Sequence, residues 1–317
     1  MYNGGALIMR RHLISLNDLS YADLCQIIQR STDFSKGNVE IQQLLVGQII
    51  GIYFKKTSTR TRTAFSAAAL RMGAQIISYG PNDLQINTGE TIEDTTNVLS
   101  GMLDCLVART AGEWSEMQMF ASQNKMSVIN AMSADEHPTQ ALADLTTIKN
   151  HFGKIENIKV LYFGEGNNTA AALALALTKF PGAELHLRTP QGYGLKPEIL
   201  QAAQQYAQIS SAKIIENHDP FDLPNDIDVI YTTRWETTGT SKEDPCWKER
   251  FQPFMVTSRL MDSYSSAVFM HDLPAHRGEE VEADVLDGPA SIAFVQAKNK
   301  MYSAMAAMEW CLSSSSN

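Results

Sequence analysis

Apolar positions fall along the chain in two kinds of run that alternate, and the alternation predicts the architecture. Residues 17–30 space their apolar side chains at three and four, the period of a helix with one buried face. Residues 48–54 form a short apolar run rich in β-branched side chains, which predicts a strand, and the Ala- and Leu-rich stretch 63–72 predicts a helix. Two further apolar runs, 105–108 and 127–131, lead to a helical pattern over 139–151. Residues 152–159, with Gly153 and several polar positions, read as a hinge. The sequence then repeats its scheme: strand 160–163, helix 170–179, strand 184–188, helix 197–207, strands 228–232 and 267–271, and a last helix over 293–312. Strands alternating with helices predict an α/β fold of two doubly wound parallel-sheet domains, residues 1–150 and 151–292. Residues 293–317 are expected to pack back on the first domain. Ligands of such folds bind beyond the carboxyl ends of the strands, so chemistry is sought in the loops after Phe54, Ala108, Phe163, Thr232 and Met270.

Composition narrows the function. With 317 residues, 44% of them hydrophobic and 19% charged, the chain can bury two cores. A net charge of -9 argues against nucleic acid or an anionic membrane as partner. It leaves room for a small anionic substrate, which needs only a few focused cations. Cys25, Cys105, Cys246 and Cys311 lie far apart without a CxxC pair or zinc-like His spacing, so free thiols and no metal are expected. No signal-like or 18-residue apolar stretch occurs, which places the chain in the cytoplasm. Met9 offers a second start, making residues 1–8 an extension, and the closing serines 313–316 read as a frayed tail.

Polar clusters sit at the predicted loops. Lys56-Thr57-Ser58-Thr59-Arg60-Thr61-Arg62 joins a strand to a helix, where Ser58 and Thr59 are placed to cap the helix and first-turn N–H groups favour an anion. Arg60 adds a planar fork for phosphate oxygens, and two arginines in a first turn oppose the helix dipole unless an anion is near. The plainer alternative is a simple cap with Arg62 on a solvated face. His137-Pro138-Thr139-Gln140 enters another helix; an imidazole and an amide three residues apart suit one small polar group, His137 polarising a carbonyl oxygen and Gln140 facing an adjacent NH2. A core or capping histidine is the alternative. Arg109 closes the run 105–108, at a strand end or on the surface.

These runs in this order, followed by His271-Asp272-Leu273-Pro274, resemble the aspartate and ornithine carbamoyltransferase family across residues 13–312. The resemblance implies transfer of a carbamoyl group from carbamoyl phosphate to the amine of a small amino acid, ornithine giving citrulline and phosphate. It implies that Ser58, Thr59, Arg60, Thr61 and Arg109 hold the phosphate, with Gln85 supplied by a neighbouring subunit, hence a homotrimer with sites at subunit interfaces. It further implies that Thr59, Arg109 and His137 surround the carbamoyl oxygen, that Gln140 and the Leu273 carbonyl receive the NH2, and that Asn168 binds the acceptor. No metal or organic cofactor is implied.

The acceptor side departs from the family pattern. Ornithine enzymes carry Asp where Thr233 stands and Ser-Met-Gly where Thr237-Thr238-Gly239 stand; aspartate enzymes carry Thr-Arg-Val-Gln across 233–236. Arg234 is then suited to an acceptor carboxylate and Glu236 to an amine, the alternative being a solvated pair on a surface loop. Asp272 stands where ornithine enzymes have Cys and aspartate enzymes Pro, placing a carboxylate where it can bind or deprotonate the incoming ammonium. Lys300 replaces an arginine that contacts carbamoyl phosphate, keeping the charge without the fork. Three other readings stay open: another amine as acceptor (aspartate, lysine, a diamino acid or a secondary-metabolite precursor), a non-catalytic sensor of carbamoyl phosphate or another anion, and a dinucleotide-dependent oxidoreductase suggested by Gly164-Glu165-Gly166. Against the last, Thr169 stands where a third glycine belongs and Arg188, no acid, closes the next strand.

Overall fold

The computed structural model describes residues 10–41, 43–237 and 241–313. The suggested extension 1–8, Thr238, Gly239 and the serines after 313 lie outside the described residues. Helix α1 (Tyr21–Lys36) precedes a parallel sheet of β1 (Ile49–Phe54), β2 (Gln75–Tyr79), β3 (Cys105–Arg109) and β4 (Ser127–Asn130), arranged β2-β1-β3-β4. Its crossovers are α2 (Arg60–Arg71), α3 (Ile92–Leu99) and α4 (Trp114–Phe120), and α5 (Pro138–Phe152) leads out of it. The second parallel sheet contains β5 (Lys159–Phe163), β6 (Glu184–Arg188), β7 (Lys213–Asn217), β8 (Val229–Thr232) and β9 (Val268–His271), arranged β7-β6-β5-β8-β9. Around it lie α6 (Asn168–Leu177), α7 (Pro197–Ser210) and the short α8 (Trp247–Phe251), α9 (Ser258–Ser263) and α10 (Ala283–Leu286), before α11 (Ala293–Leu312) ends the described chain. This is the two-sheet α/β architecture that the alternating runs predict.

Strand order reverses between β1 and β3 in the first sheet and between β5 and β8 in the second. The connecting loops part at these two places and open a crevice at the carboxyl edge of each sheet. Strands β3 and β4 are buried at every position because helices cover both faces, which is why they read as unbroken apolar runs. The register Phe54↔Arg109 sets Arg109 at the carboxyl edge, beside the start of the 55–59 loop.

Two boundaries differ from the sequence pattern for local reasons. The first helix begins at Tyr21 because Ser20 and Asp23 form a capping box, each side chain accepting from the other's backbone N–H; a 3-10 turn, Leu16–Asp18, occupies the start of the expected stretch. Helix α2 begins at Arg60, three residues before its apolar pattern, since its first turn faces a polar crevice rather than the core.

The segment between α5 and β5 is not a loose tether. Ile155 and Ile158 are each 2% exposed, and one apolar core runs from the first sheet through the packed pair α5 and α6 into the second. Helix α11 lies against α1, α2 and α5, burying Ala304, Met305, Ala307 and Met308. The Arg30 Nε and Nη2 donate to Glu309 at 2.6 and 2.7 Å across the α1–α11 seam. All four cysteines are free. No helix among the described residues is long and apolar enough to cross a membrane.

Candidate active site

The two crevices face one another and enclose a cavity of about 280 Å³. The first sheet's side contributes Ser58, Thr59, Arg60, Thr61, Arg109, His137 and Gln140; the second contributes Asn168, Thr233, Arg234, Asp272 and Leu273; α11 contributes Lys300. Residues some 240 positions apart in sequence are thereby gathered around one space, each from the carboxyl end of a strand or the helix after it.

One part of this wall is built for an anion. Thr59 is the N-cap residue of α2, but neither it nor Ser58 caps by side chain, so the expected capping role is not taken up, and both residues line the cavity. The first-turn N–H groups of α2 have no intrahelical partner. Arg60 and Arg109 each bury an Nε without a hydrogen-bond partner. Burial, reinforced by nearby Arg60, pushes the Arg109 guanidinium down to about 10; burial likewise lowers Arg60. The Lys300 ammonium, 8% exposed, is pushed down to about 8 by burial, with Asp272 pulling the other way. Like charges held together and out of water are costly in themselves, and an oxyanion among them removes the cost. Arg62 points elsewhere and donates to Ser78 Oγ at 2.7 Å on the exposed face of the helix.

His137 and Gln140 flank the anion wall at the start of α5, where Pro138 occupies the first turn. Burial, then the charges of Lys300 and Arg109, hold His137 well below its usual value, so the imidazole is neutral. Thr139 Oγ1 lies 3.3 Å from Nδ1; with that hydroxyl donating, Nε2 carries the proton and serves as a donor. The Gln140 Nε2 donates to Asp144 at 2.7 Å, while its Oε1 is buried without a partner. A donor and an acceptor are thus presented side by side, the match for a carbamoyl group's oxygen and NH2.

Asp272 is the single acidic residue among those lining the cavity. Thr169 Oγ1 donates to it at 2.9 Å and Thr233 Oγ1 at 3.0 and 3.1 Å to its two oxygens. Burial works to raise this carboxyl; contact with His271, the charge of Lys300 and the Thr169 hydroxyl outweigh it, so the group is ionised. Asn168 donates Nδ2 to the Ser133 carbonyl at 2.9 Å and the His137 N–H donates to the Asn168 carbonyl at 3.1 Å, tying the start of α6 to the His137 turn. Arg234 lines the cavity from the loop after β8.

Two expected residues are not brought in. Gln85 is exposed on the 3-10 turn Gln85–Thr88, away from the cavity, its Oε1 accepting from Thr88 Oγ1. Glu236 is half-buried but does not line this cavity. The Gly164-Glu165-Gly166 turn has a packing reason: a Cβ on Gly166 would meet the backbone of Gly194 and Leu195 at 2.3 Å. Residues that the sequence reading missed lie next door. A second space of about 630 Å³ shares Met132, Asn167, Asn168 and Thr237 with the first, and Lys242 on its wall pairs with Glu165 while its Nζ sits 4.8, 5.6 and 5.0 Å from the rings of Tyr193, Trp247 and Phe251. Only the density of aromatic residues around 247–251 hinted at it.

Two family models match this chain: aspartate/ornithine carbamoyltransferase, carbamoyl-P binding domain, over residues 11–150, and the Asp/Orn binding domain of the same family over residues 156–311. An ornithine carbamoyltransferase of Caldicellulosiruptor saccharolyticus is 36% identical over 304 residues, 94% of this chain and 97% of the relative. That of Bacillus subtilis is 36% identical over 293 residues, covering 92% and 91%. The solved ornithine carbamoyltransferase of Pyrococcus furiosus superposes with a TM-score of 0.90 at 35% identity, covering 97% of this chain and 99% of that one.

Proposed function

The chain belongs to the aspartate/ornithine carbamoyltransferase family, and from that premise we propose that it moves the carbamoyl group of carbamoyl phosphate to the amine of ornithine, yielding citrulline and phosphate. The observation that carries the reading is the make-up of one cavity: cations and hydroxyls, a neutral imidazole and an unpaired amide oxygen, and a single carboxylate, Asp272, brought in from the second sheet. Ser58, Thr59, Arg60, Thr61, Arg109 and Lys300 hold the phosphate. His137, Thr59 and Arg109 face the carbamoyl oxygen, and Gln140 with the Leu273 carbonyl takes the NH2. As the amine nitrogen attacks the carbamoyl carbon, charge builds on that oxygen, then the bond to the phosphate oxygen breaks; donors already aimed at both oxygens need no reorganisation. Asp272 meets the attacking nitrogen as positive charge develops there, and Asn168, Thr233 and Arg234 hold the rest of the acceptor. Glu236 approaches it only if the loop through residue 237 moves inward.

A panel of ornithine, aspartate, lysine, diaminopropionate and putrescine, assayed with carbamoyl phosphate for ureido product and phosphate, tests the acceptor. Ornithine turning over best supports the reading; another amine turning over best replaces ornithine and keeps carbamoyl transfer. Homotrimeric assembly, with Gln85 reaching a neighbour's site, accounts for its distance from its own cavity. Light scattering on the same sample should give three times 35.1 kDa, and full activity in a monomer would remove Gln85 from the site.

Lys300 sets a pH limit on this binding. Its ammonium titrates at about 8 in the free protein, so one of the phosphate's cations is lost as pH rises through that value. Inorganic phosphate, a dianion over that range, should bind wild type more weakly by up to about tenfold per pH unit above 8. Lys300→Arg should bind it with no such decline up to pH 9.5. Calorimetric titrations across this range check it, and equal declines in both proteins would exclude Lys300 as the source.

A further inference from the structure

Behind the cavity wall lies a buried polar chain that touches none of the space itself. Asp144, Gln296 and Tyr231 are 0%, 0% and 1% exposed and belong to α5, α11 and β8. Asp144 Oδ1 accepts from Gln140 Nε2 and from Gln296 Nε2, both at 2.7 Å, and its Oδ2 accepts from the Tyr231 hydroxyl at 3.2 Å. The Gln296 Nε2 also donates to the Tyr231 oxygen at 3.1 Å, and its Oε1 accepts the His271 N–H at 2.9 Å. So the amide of Gln296 is pinned at both ends, and the carboxylate it holds pins one end of Gln140.

A glutamine amide has a donor end and an acceptor end, and a half-turn about the last side-chain bond exchanges them. A carboxylate accepts and never donates. Opposite Asp144, only the NH2 end of Gln140 can face inward, which leaves Oε1 facing outward from the network, buried and unpartnered. An asparagine at 144 would lift that restriction, because its own amide can present NH2 to Gln140 and let Gln140 turn over.

We propose that Asp144, held by Gln296 and Tyr231, is a positioning residue that fixes the polarity of Gln140, so that the site selects an acyl phosphate bearing NH2 over one bearing a methyl group. The inference rests on the carbamoyl-transfer reading of the same cavity. It also joins the two sides of the site, since Gln296 carries the support from Asp144 to the backbone of His271, the residue before Asp272 and Leu273.

Acetyl phosphate is the probe, being carbamoyl phosphate with CH3 in place of NH2. At pH 8, above the value of about 7 to which burial pushes the Asp144 carboxyl, competition against inorganic phosphate gives the affinity of each acyl phosphate. Wild type should prefer carbamoyl phosphate by about tenfold or more, because the methyl compound leaves Gln140 Oε1 without a donor. Asp144→Asn should lose most of that preference while inorganic phosphate and acetyl phosphate bind as before. In Gln140→Ala the preference should be gone already, and adding Asp144→Asn should change it no further, whereas a merely structural role would add its own loss. Gln296→Met, which loosens the hold on Asp144 but keeps its carboxylate, should lower the preference in the same direction by a smaller factor and serves if the first variant does not fold. Full preference retained in Asp144→Asn, or in Gln296→Met should that be the variant that folds, would overturn the inference and leave carbamoyl transfer standing. A wild type that does not distinguish the two acyl phosphates would overturn the reading of the site itself.

Discussion

Arg60→Gln is expected to lower kcat/KM for carbamoyl phosphate by about a hundredfold to a thousandfold while raising the melting temperature. The first half follows from what the guanidinium does: it can offer a phosphate two charge-assisted hydrogen bonds, and loss of one such stabilising group costs about 3 to 4 kcal/mol. The second half follows from its surroundings. Burial holds this cation below its usual value, its Nε has no partner, and it lowers both Arg109 and Lys300 by charge. A cation whose value is lowered by folding disfavours the folded state while it stays charged, so removing it should raise the melting temperature modestly, solvent screening of this half-buried group limiting the gain. Thermal scans with and without phosphate separate the effects: at a hundred times the dissociation constant, phosphate stabilises wild type by about 2.7 kcal/mol and should shift the variant little. Turnover within tenfold of wild type would remove Arg60 from the phosphate site.

Asp272→Asn should show opposite signs in two measurements. The ionised carboxylate lies among cations, drawing on Lys300 and on Arg60 and Arg109, so deleting its charge should strengthen inorganic phosphate binding several-fold. The same deletion should lower turnover with saturating carbamoyl phosphate by about 10² to 10⁴, the usual contribution of a group that takes or steadies a proton on a reacting atom. Folding should survive, because an asparagine still accepts from Thr169 or Thr233 and is about the same size. Phosphate affinity and turnover falling together would mean that Asp272 merely holds the turn; turnover unchanged would assign the amine to another group, such as Glu165 on the wall of the adjoining space.

What the sequence disclosed and what it hid divide along physical lines. Strands β1, β3, β4 and β5 are covered on both faces, and burial forces an apolar run that can be read directly. Strands β2 and β7 close the outer edges of their sheets, with Ile77 and Ile215 each 44% exposed, so nothing demanded a distinctive run there and neither was predicted. At the site, clusters lying in one loop, such as Ser58 to Arg62 and His137 to Gln140, were legible because one turn carries the chemistry. Asp144 and Gln296 were not, although each leaves a trace: Asp144 stands four residues after Gln140 among Ala141, Leu142, Ala143 and Leu145, and Gln296 four before Lys300. A polar residue at that spacing shares a helix face with a known site residue, and in a buried helix it requires a partner. The partners come from other elements, which no local reading supplies.

The return of α11 to the first sheet bears on how the molecule is made. This helix is synthesised after α1, α2 and α5, yet those three are covered only when it packs on them, and Lys300 and Gln296 ride on it. In the usual order of vectorial synthesis the leading half matures while the trailing half is still being translated; here the leading half would wait without the helix that covers it. A nascent polypeptide halted before residue 293 has every strand and every loop of the crevice but an uncovered core and a phosphate wall short of one cation. The cover of the first core and the last cation of the phosphate wall therefore arrive on the same helix.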